Sequence, residues 1–236
     1  MPDAAAGAPR HPASARAWAL GSMRWPAIGQ PVVVIPLGSC EQHGPHLPLD
    51  TDSQIAEALA RRLVEARMGL VLAPTVPFGA SWEHAGFPGL LSLNHDLVAA
   101  LLVELGHSAD WARGLVFVNG HGGNALGLRS AVRTLTHEGR SVMAWSPALP
   151  HGDLHAGRTE TSMMLALAPD EVALEAMASG FLGTPPPSVF TDGIASVSPS
   201  GVLGDPLGAS TGDGHVLLQQ SAGDLIRAYD TWQVGR

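Results

Sequence analysis

Lysine is absent from the 236 residues, and all 13 basic side chains are arginine. That absence excludes Schiff-base catalysis and the lysine of a phosphate-binding P-loop. Cysteine is almost absent as well. The lone Cys40 cannot form an intrachain disulfide, which fits a reducing, cytoplasmic compartment. Charged residues make up only 14%, and acids outnumber bases to a net charge of −8, so no basic surface for nucleic acid is expected. No run reaches the roughly 18–20 continuous apolar residues of a membrane span. Met1–Arg16 is rich in Ala and Pro and carries no apolar core of signal-peptide length. The one Gly-x-Ser-x-Gly spacing, Gly208–Gly212, falls in a Gly-, Pro- and Ser-rich stretch and follows no predicted strand, so it is not read as the nucleophile elbow of serine hydrolases.

What remains is an ordinary hydrophobic content of 45%, enough for one domain with a sizeable core. Residues 1–30 read as a loosely ordered tail, with a short helix near Ala15–Ala19, and 31–236 as the domain. Val32–Leu37 is a continuously apolar, β-branched run ending at Gly38, the pattern of a buried strand. Ile55, Leu59, Leu63 and Val64 then recur at helical spacing. Leu70–Ala73 is a second strand, and Asn94 is placed to cap a helix with Leu97, Leu101, Leu102 and Leu105 as its apolar stripe. Leu115–Val118 is a third strand, followed by a helix over Ala125–His137, a strand over Ser141–Trp145 and a helix over Thr159–Leu167. Residues 180–212, rich in Gly, Pro and Ser, read mostly as loop, and a last amphipathic helix covers His215–Tyr229. Alternating strands and helices predict an α/β fold with a mostly parallel sheet covered on both faces. In such folds ligands bind beyond the carboxyl ends of the strands.

Four segments carry chemistry. Gly38–Asp52 packs Glu41, His43, His46, Asp50 and Asp52 into a Gly/Pro-broken strand-end loop. Glu41 and His43 are two residues apart and share one side of an extended segment. Carboxylate plus imidazole suits Zn, Fe or Mn. The alternative is a solvated polar loop in which Asp50 or Asp52 caps the next helix, with His46 and Asp50 the better candidates for outer roles. Asn119–Asn124 places His121 between glycines, as a ligand or within a simple Gly-rich turn, and Asn124 is placed to cap the following helix. In His155–Ser162, Glu160 reads either as a ligand or as a helix N-terminal acid, and His155 as a proton carrier or substrate contact. In Ser81–His84, Ser81 and His84 are candidate substrate contacts on a loop. His107 and His137 belong to helices and read as structural. Cys40 beside Glu41 reads as a small packed thiol rather than a nucleophile.

The motifs Gly38-Ser39-Cys40-Glu41-Gln42-His43-Gly44-Pro45-His46-Leu47-Pro48 with Asp52, then Asn119-Gly120-His121-Gly122-Gly123-Asn124, then His155-Ala156-Gly157 with Glu160-Thr161-Ser162, resemble the creatininase (creatinine amidohydrolase) family. The resemblance spans about Val32 to Asp224. It implies a three-layer α/β/α fold, two adjacent divalent ions (Zn and/or Fe, or Mn), hydrolysis of cyclic or linear amides, and a homo-oligomer. It maps Glu41, His43, Asp52 and His121 onto metal ligands, with Asp52 bridging. An acid that serves as a further ligand in creatininase is replaced here by Gly123, and Glu160 is the natural substitute. Glu160 or His155 would supply the proton to the leaving nitrogen. Pro48–Asp52, Leu115–Asn124 and Ser200–Pro206 resemble one branch of the family, whose members act as peptidases on the radical-modified C-terminus of a ribosomal precursor peptide. That branch implies a small modified peptide as substrate.

Overall fold

The computed structural model describes residues 18–148 and 154–234. Four parallel strands form the centre: β1 (Val32–Leu37), β2 (Leu70–Leu72), β3 (Gly114–Asn119) and β4 (Val142–Trp145), in the order β2-β1-β3-β4. Val32 of β1 sits opposite Leu70 and Gly114, and Leu115 of β3 opposite Val142. Apart from Asn119 at the end of β3, the strands are apolar because both faces of the sheet are covered.

The pleat sorts the side chains. Val32, Val34, Val116 and Val118 face one layer with Leu59 and Leu63 of α1 (Thr51–Ala66), Met163 and Met164 of α4 (Arg158–Leu167), and Leu218 and Leu225 of α6 (Thr211–Val234). Val33, Ile35, Leu115 and Phe117 face the other, with Val98 and Leu102 of α2 (His95–Ser108) and Leu128 and Leu135 of α3 (Ala125–His137). This is the expected three-layer α/β/α arrangement. Each fully buried Leu or Phe contributes about 1.5–3 kcal/mol relative to an exposed one.

Several local expectations are met and several are corrected. The Asn94 side chain does cap α2, accepting the Leu97 N–H. The stripe of α2 is shifted, however: Val98, Leu102 and Gly106 are buried, whereas Leu97 is 54% and Leu101 36% exposed. The helix leans on α3, and Gly106 lies so close to Leu135 that only this face can turn inward. The last helix starts at Thr211, earlier than the periodicity suggests. Gly212 and Gly214 weaken the helical signal, yet a Cβ at Gly214 would run into the Ser162 carbonyl, so the glycine is what lets α6 lie against α4. The 180–212 stretch holds a short helix α5 (Val189–Asp192) and a small cluster of Val189, Ile194 and Leu203. Residues 1–17 of the expected tail, with most of its suggested helix, lie outside the described residues. From Trp18 the chain is laid on the sheet edge: Trp18 is buried, its carbonyl accepts the Leu72 N–H, and Ala19 bridges to Leu72. Among the described residues no helix is long and apolar enough to cross a membrane.

Candidate metal centre

Each parallel strand releases its chain at the same edge, and the four loops that follow converge there. The loop after β1 brings Glu41 and His43 and leads into α1, whose first turn holds Asp52. The loop after β2 brings Ser81 and His84, the loop after β3 brings His121, and the chain after β4 brings His155 and then Glu160 in the first turn of α4. Glu41, His43, His84 and Asp52 are at most 2% exposed, and His121, His155 and Glu160 remain below 10%.

Asp52 is the centre of the group. Its Oδ1 lies 3.2 Å from His43 Nε2; its Oδ2 lies 3.0 Å from His121 Nδ1 and accepts the Ser39 hydroxyl at 2.8 Å. One carboxylate thus presents its two oxygens to two different imidazoles. His121 Nε2 is 2.9 Å from the Ala80 carbonyl, and His43 Nδ1 is 3.2 Å from the Glu41 carbonyl. Backbone acceptors of this kind fix a histidine's orientation and turn its other nitrogen toward the cluster. Glu160 Oε2 accepts the Ala156 N–H at 2.6 Å. Ala156 has φ +52°, an uncommon conformation for a residue with a side chain, and it sits between His155 and the start of α4.

Glu41 is different. Its buried carboxylate lies 3.1 Å from His84 Nε2, 3.3 Å from His121 Nε2 and 3.7 Å from His155 Nδ1. Yet neither oxygen is met at a hydrogen-bonding angle. A buried carboxylate without hydrogen bonds is costly unless a cation completes it. Three overlapping triads offer ligand atoms within 4.8 Å of one another: Glu41, Asp52 and His121; His43, His155 and Glu160; Glu41, His84 and His155. Mixed carboxylate and imidazole donors fit a divalent ion such as Zn, Fe or Mn.

The electrostatics agree. Burial pushes His43 and His121 down, but the facing carboxylates outweigh it: Asp52 holds His43 up at about 9, and Glu41 with Asp52 holds His121 up at about 10. Burial pushes Glu41 and Asp52 up, and the imidazoles reverse that, holding Glu41 at about 2 and Asp52 well below the usual carboxylate range. Without metal, the cluster balances its negative charge with protons. Burial, helped by Asp52 and Glu41 against the pull of His43, raises Glu160 to about 7. Burial and then the charge of His43 hold His155 neutral.

A cavity of about 790 Å³ opens over Glu41, Asp52, His121 and Glu160. Its far wall is apolar, built from Leu126, Leu154, Val189, Ile194 and Leu203. The family profile described as "Creatininase: Creatinine amidohydrolase" matches residues 22–229. The chain belongs to the creatininase family. A relative named "Mycofactocin precursor peptide peptidase" from Mycobacterium ulcerans (strain Agy99) is 44% identical over 224 residues, covering 89% of this chain and 87% of its own. Among solved structures, "Creatininase Mn" superimposes with a TM-score of 0.75 at 28% identity, covering 89% of this chain and 96% of that one. A Zn-Zn type of a creatininase mutant gives a TM-score of 0.75 at 28% identity, covering 89% and 95%.

Within this creatininase-family site, Glu41, His43, Asp52, His121, His155 and Glu160 come together as the motifs suggested. His84, expected to touch substrate, lines the cavity but also faces Glu41. Ser81, expected in the same role, is fully buried with its hydroxyl 3.2 Å from His121 Nε2. His46 turns away to Thr161 Oγ1 at 2.9 Å, and Asp50 makes no side-chain cap bond to α1. Cys40 places its thiol 3.5 Å from the Gly89 carbonyl, away from the cluster. Asn124 does not cap α3. It accepts the Ala80 N–H and donates to the Gly38 carbonyl and to Asn119, tying three site loops together. At Gly123 an added Cβ would run into the Ala80 carbonyl and the His121 ring, with Glu83 Oε1 3.0 Å away. The space that an acid would need is therefore filled by the Ala80–His84 loop, an exchange invisible in local sequence. Gln42 and Ser39 were also missed as partners of the cluster, although both stand inside the first motif.

Proposed function

We propose that this chain is a divalent-metal-dependent amide hydrolase that trims the modified C-terminus of the mycofactocin precursor peptide. The observation that carries the chemistry is the buried Glu41 carboxylate, without hydrogen bonds and ringed by imidazoles, at the floor of a large cavity. Support for the substrate comes from the relative named as a peptidase and from the cavity itself, whose volume lies in the range that holds a drug-sized ligand rather than a small lactam. The apolar wall suits a peptide end better than creatinine. The test is direct. The protein is incubated with the radical-modified peptide, the unmodified peptide and creatinine, and products are read by mass spectrometry. Release of a C-terminal fragment from the modified peptide is expected, and turnover of creatinine alone would overturn the substrate assignment.

In this reading Glu41, His43, Asp52, His121 and Glu160 would hold two divalent ions, Zn, Fe or Mn. When bound, the ions supply Lewis acidity toward water and the scissile carbonyl. The chain does the rest. Ser39 orients Asp52, and the backbone carbonyls of Glu41 and Ala80 orient His43 and His121. His155, neutral and with Nδ1 turned into the site, takes the proton of the attacking water and passes it to the leaving nitrogen as the C–N bond breaks. The same reading includes a cytoplasmic homo-oligomer, supported by the single thiol and by Leu97 and Leu101, which leave apolar surface on α2 for a second copy to cover.

One consequence follows from the protonated imidazoles. An imidazole sheds its proton to take a metal. His43 and His121 carry protons below about 9 and about 10 in the metal-free site, so zinc loaded at pH 8 displaces them. Proton release is expected in weakly buffered solution, and it should fade as pH rises through 9 to 10. Zinc affinity should fall as pH is lowered, because protons then compete harder. Zinc uptake without proton release at pH 8 would rule out these two histidines as ligands.

A further inference from the structure

Gln42 is absent from every candidate metal triad, yet its side chain reaches both His84 and His155. Its Oε1 accepts the Gly44 N–H at 2.7 Å, and its Nε2 donates to the Gly201 carbonyl at 3.1 Å. Both backbone partners have fixed polarity, so the orientation of the amide is settled. One amide hydrogen is left over. Two ring nitrogens lie within its reach, His84 Nδ1 at 2.9 Å and His155 Nε2 at 3.1 Å. His155 Nε2 is also 2.6 Å from the Gln42 backbone carbonyl, a distance that two acceptors cannot share, so this nitrogen carries a hydrogen and donates it. It has no lone pair for the amide. The remaining amide hydrogen therefore goes to His84 Nδ1, which must be bare.

The two histidines that flank Glu41 then differ in kind. With Nδ1 bare, neutral His84 carries its hydrogen on Nε2, the nitrogen 3.1 Å from Glu41 Oε1. With Nε2 protonated, neutral His155 has Nδ1 bare, and that nitrogen faces the same Glu41 oxygen at 3.7 Å. We propose that Gln42 is a positioning residue that sets opposite tautomers on His84 and His155, so that His84 keeps its hydrogen on the nitrogen nearer Glu41 and is not a metal ligand, while His155 keeps the bare nitrogen the reaction uses. Of the three triads, the one containing His84 is thereby an electrostatic contact with Glu41 rather than a metal site. The assignment rests on the amide-hydrolase reading for its use but not for its geometry. It gives the sequence stretch Glu41-Gln42-His43 a division of labour, in which alternate residues face the ions and the residue between them governs the histidines above.

The test reads protons rather than turnover. In full-length, zinc-loaded protein labelled with 15N in the histidine rings, His84 is assigned by its disappearance in His84→Gln. Expected are a protonated, pyrrole-type Nε2 and a bare, pyridine-type Nδ1. Gln42→Glu removes the amide donor and offers an acceptor in its place, so His84 should invert, with Nδ1 protonated. A bare Nε2 in the unmodified protein, or an unchanged tautomer in Gln42→Glu, overturns the proposal. Gln42→Glu also deprives the Gly201 carbonyl of its donor, so metal content provides a second measure that needs no such variant. His84→Gln keeps an N–H group toward Glu41. It should retain the unmodified protein's number of ions per chain, with metal affinity weakened by about 10- to 100-fold at most, the scale of an outer-shell partner. Loss of a whole ion would make His84 a ligand and end the idea. An unmodified protein that binds no metal would instead count against the hydrolase reading, and the tautomers of metal-free protein would still decide the role of Gln42.

Discussion

Asp52→Ala is expected to strip the protein of most bound divalent metal and to lower turnover by at least about 1000-fold, the equivalent of several kcal/mol of lost Lewis-acid stabilisation. Asp52 is buried, and its two oxygens are divided between His43 and His121, so its loss affects both sides of the cluster at once. Three further groups are left stranded, the Ser39 hydroxyl and the imidazoles of His43 and His121, and the two histidines lose the carboxylate that raised their proton affinity. Elemental analysis and a peptide-release assay check the two halves separately. Asp52→Asn is the informative companion. It preserves shape and can still accept from Ser39, so a protein that folds normally but binds little metal locates the loss in the charge. An Asp52→Ala protein with full metal content and near-normal turnover would remove Asp52 from the site.

Glu160→Gln is expected to lower metal content toward one ion per chain and to reduce turnover by at least about 100-fold, with the loss in kcat rather than KM. Glu160 shares a triad with His43 and His155, and its Oε2 is held by the Ala156 N–H at the strained turn that opens α4. A glutamine oxygen can keep that backbone bond, so the variant should fold. Burial, with neighbouring carboxylates, already raises the metal-free Glu160 to about 7, which marks a charge the protein holds at a cost until a cation arrives. Retention of both ions with the same fall in turnover would make Glu160 a proton donor instead. A metal-loaded structure with its carboxylate more than about 4 Å from any ion, well beyond the roughly 2.0–2.2 Å of a carboxylate–zinc bond, would leave it as a helix N-terminal acid. Installing an acid at Gly123 should not rescue the variant, because the Ala80 carbonyl and the His121 ring occupy the space.

Much of this protein is legible from the chain alone, for reasons of local physics. A strand buried on both faces must be apolar along nearly its whole length, as β1 is throughout and β3 is up to Asn119 at its site end. Helices that cover a sheet need one apolar stripe, and α1 and α3 carry theirs at the expected spacing. Parallel strands deliver their loops to one edge, so Glu41, His43, Asp52, His121 and Glu160 were bound to be neighbours once the strands were recognised. Tertiary structure alone decided the finer matters. The stripe of α2 and the start of α6 depend on how closely Gly106 and Gly214 let helices approach, a distance between segments that no local periodicity encodes. Asn124 left its cap to join Gly38 and Ala80 because those groups come within reach only when three loops meet. The split between His84 and His155 hangs on one leftover amide hydrogen of Gln42, whose partners lie 42 and 113 residues away. Residue type and spacing declare which atoms can bind a metal; only the packed fold determines which of those atoms already carry a proton.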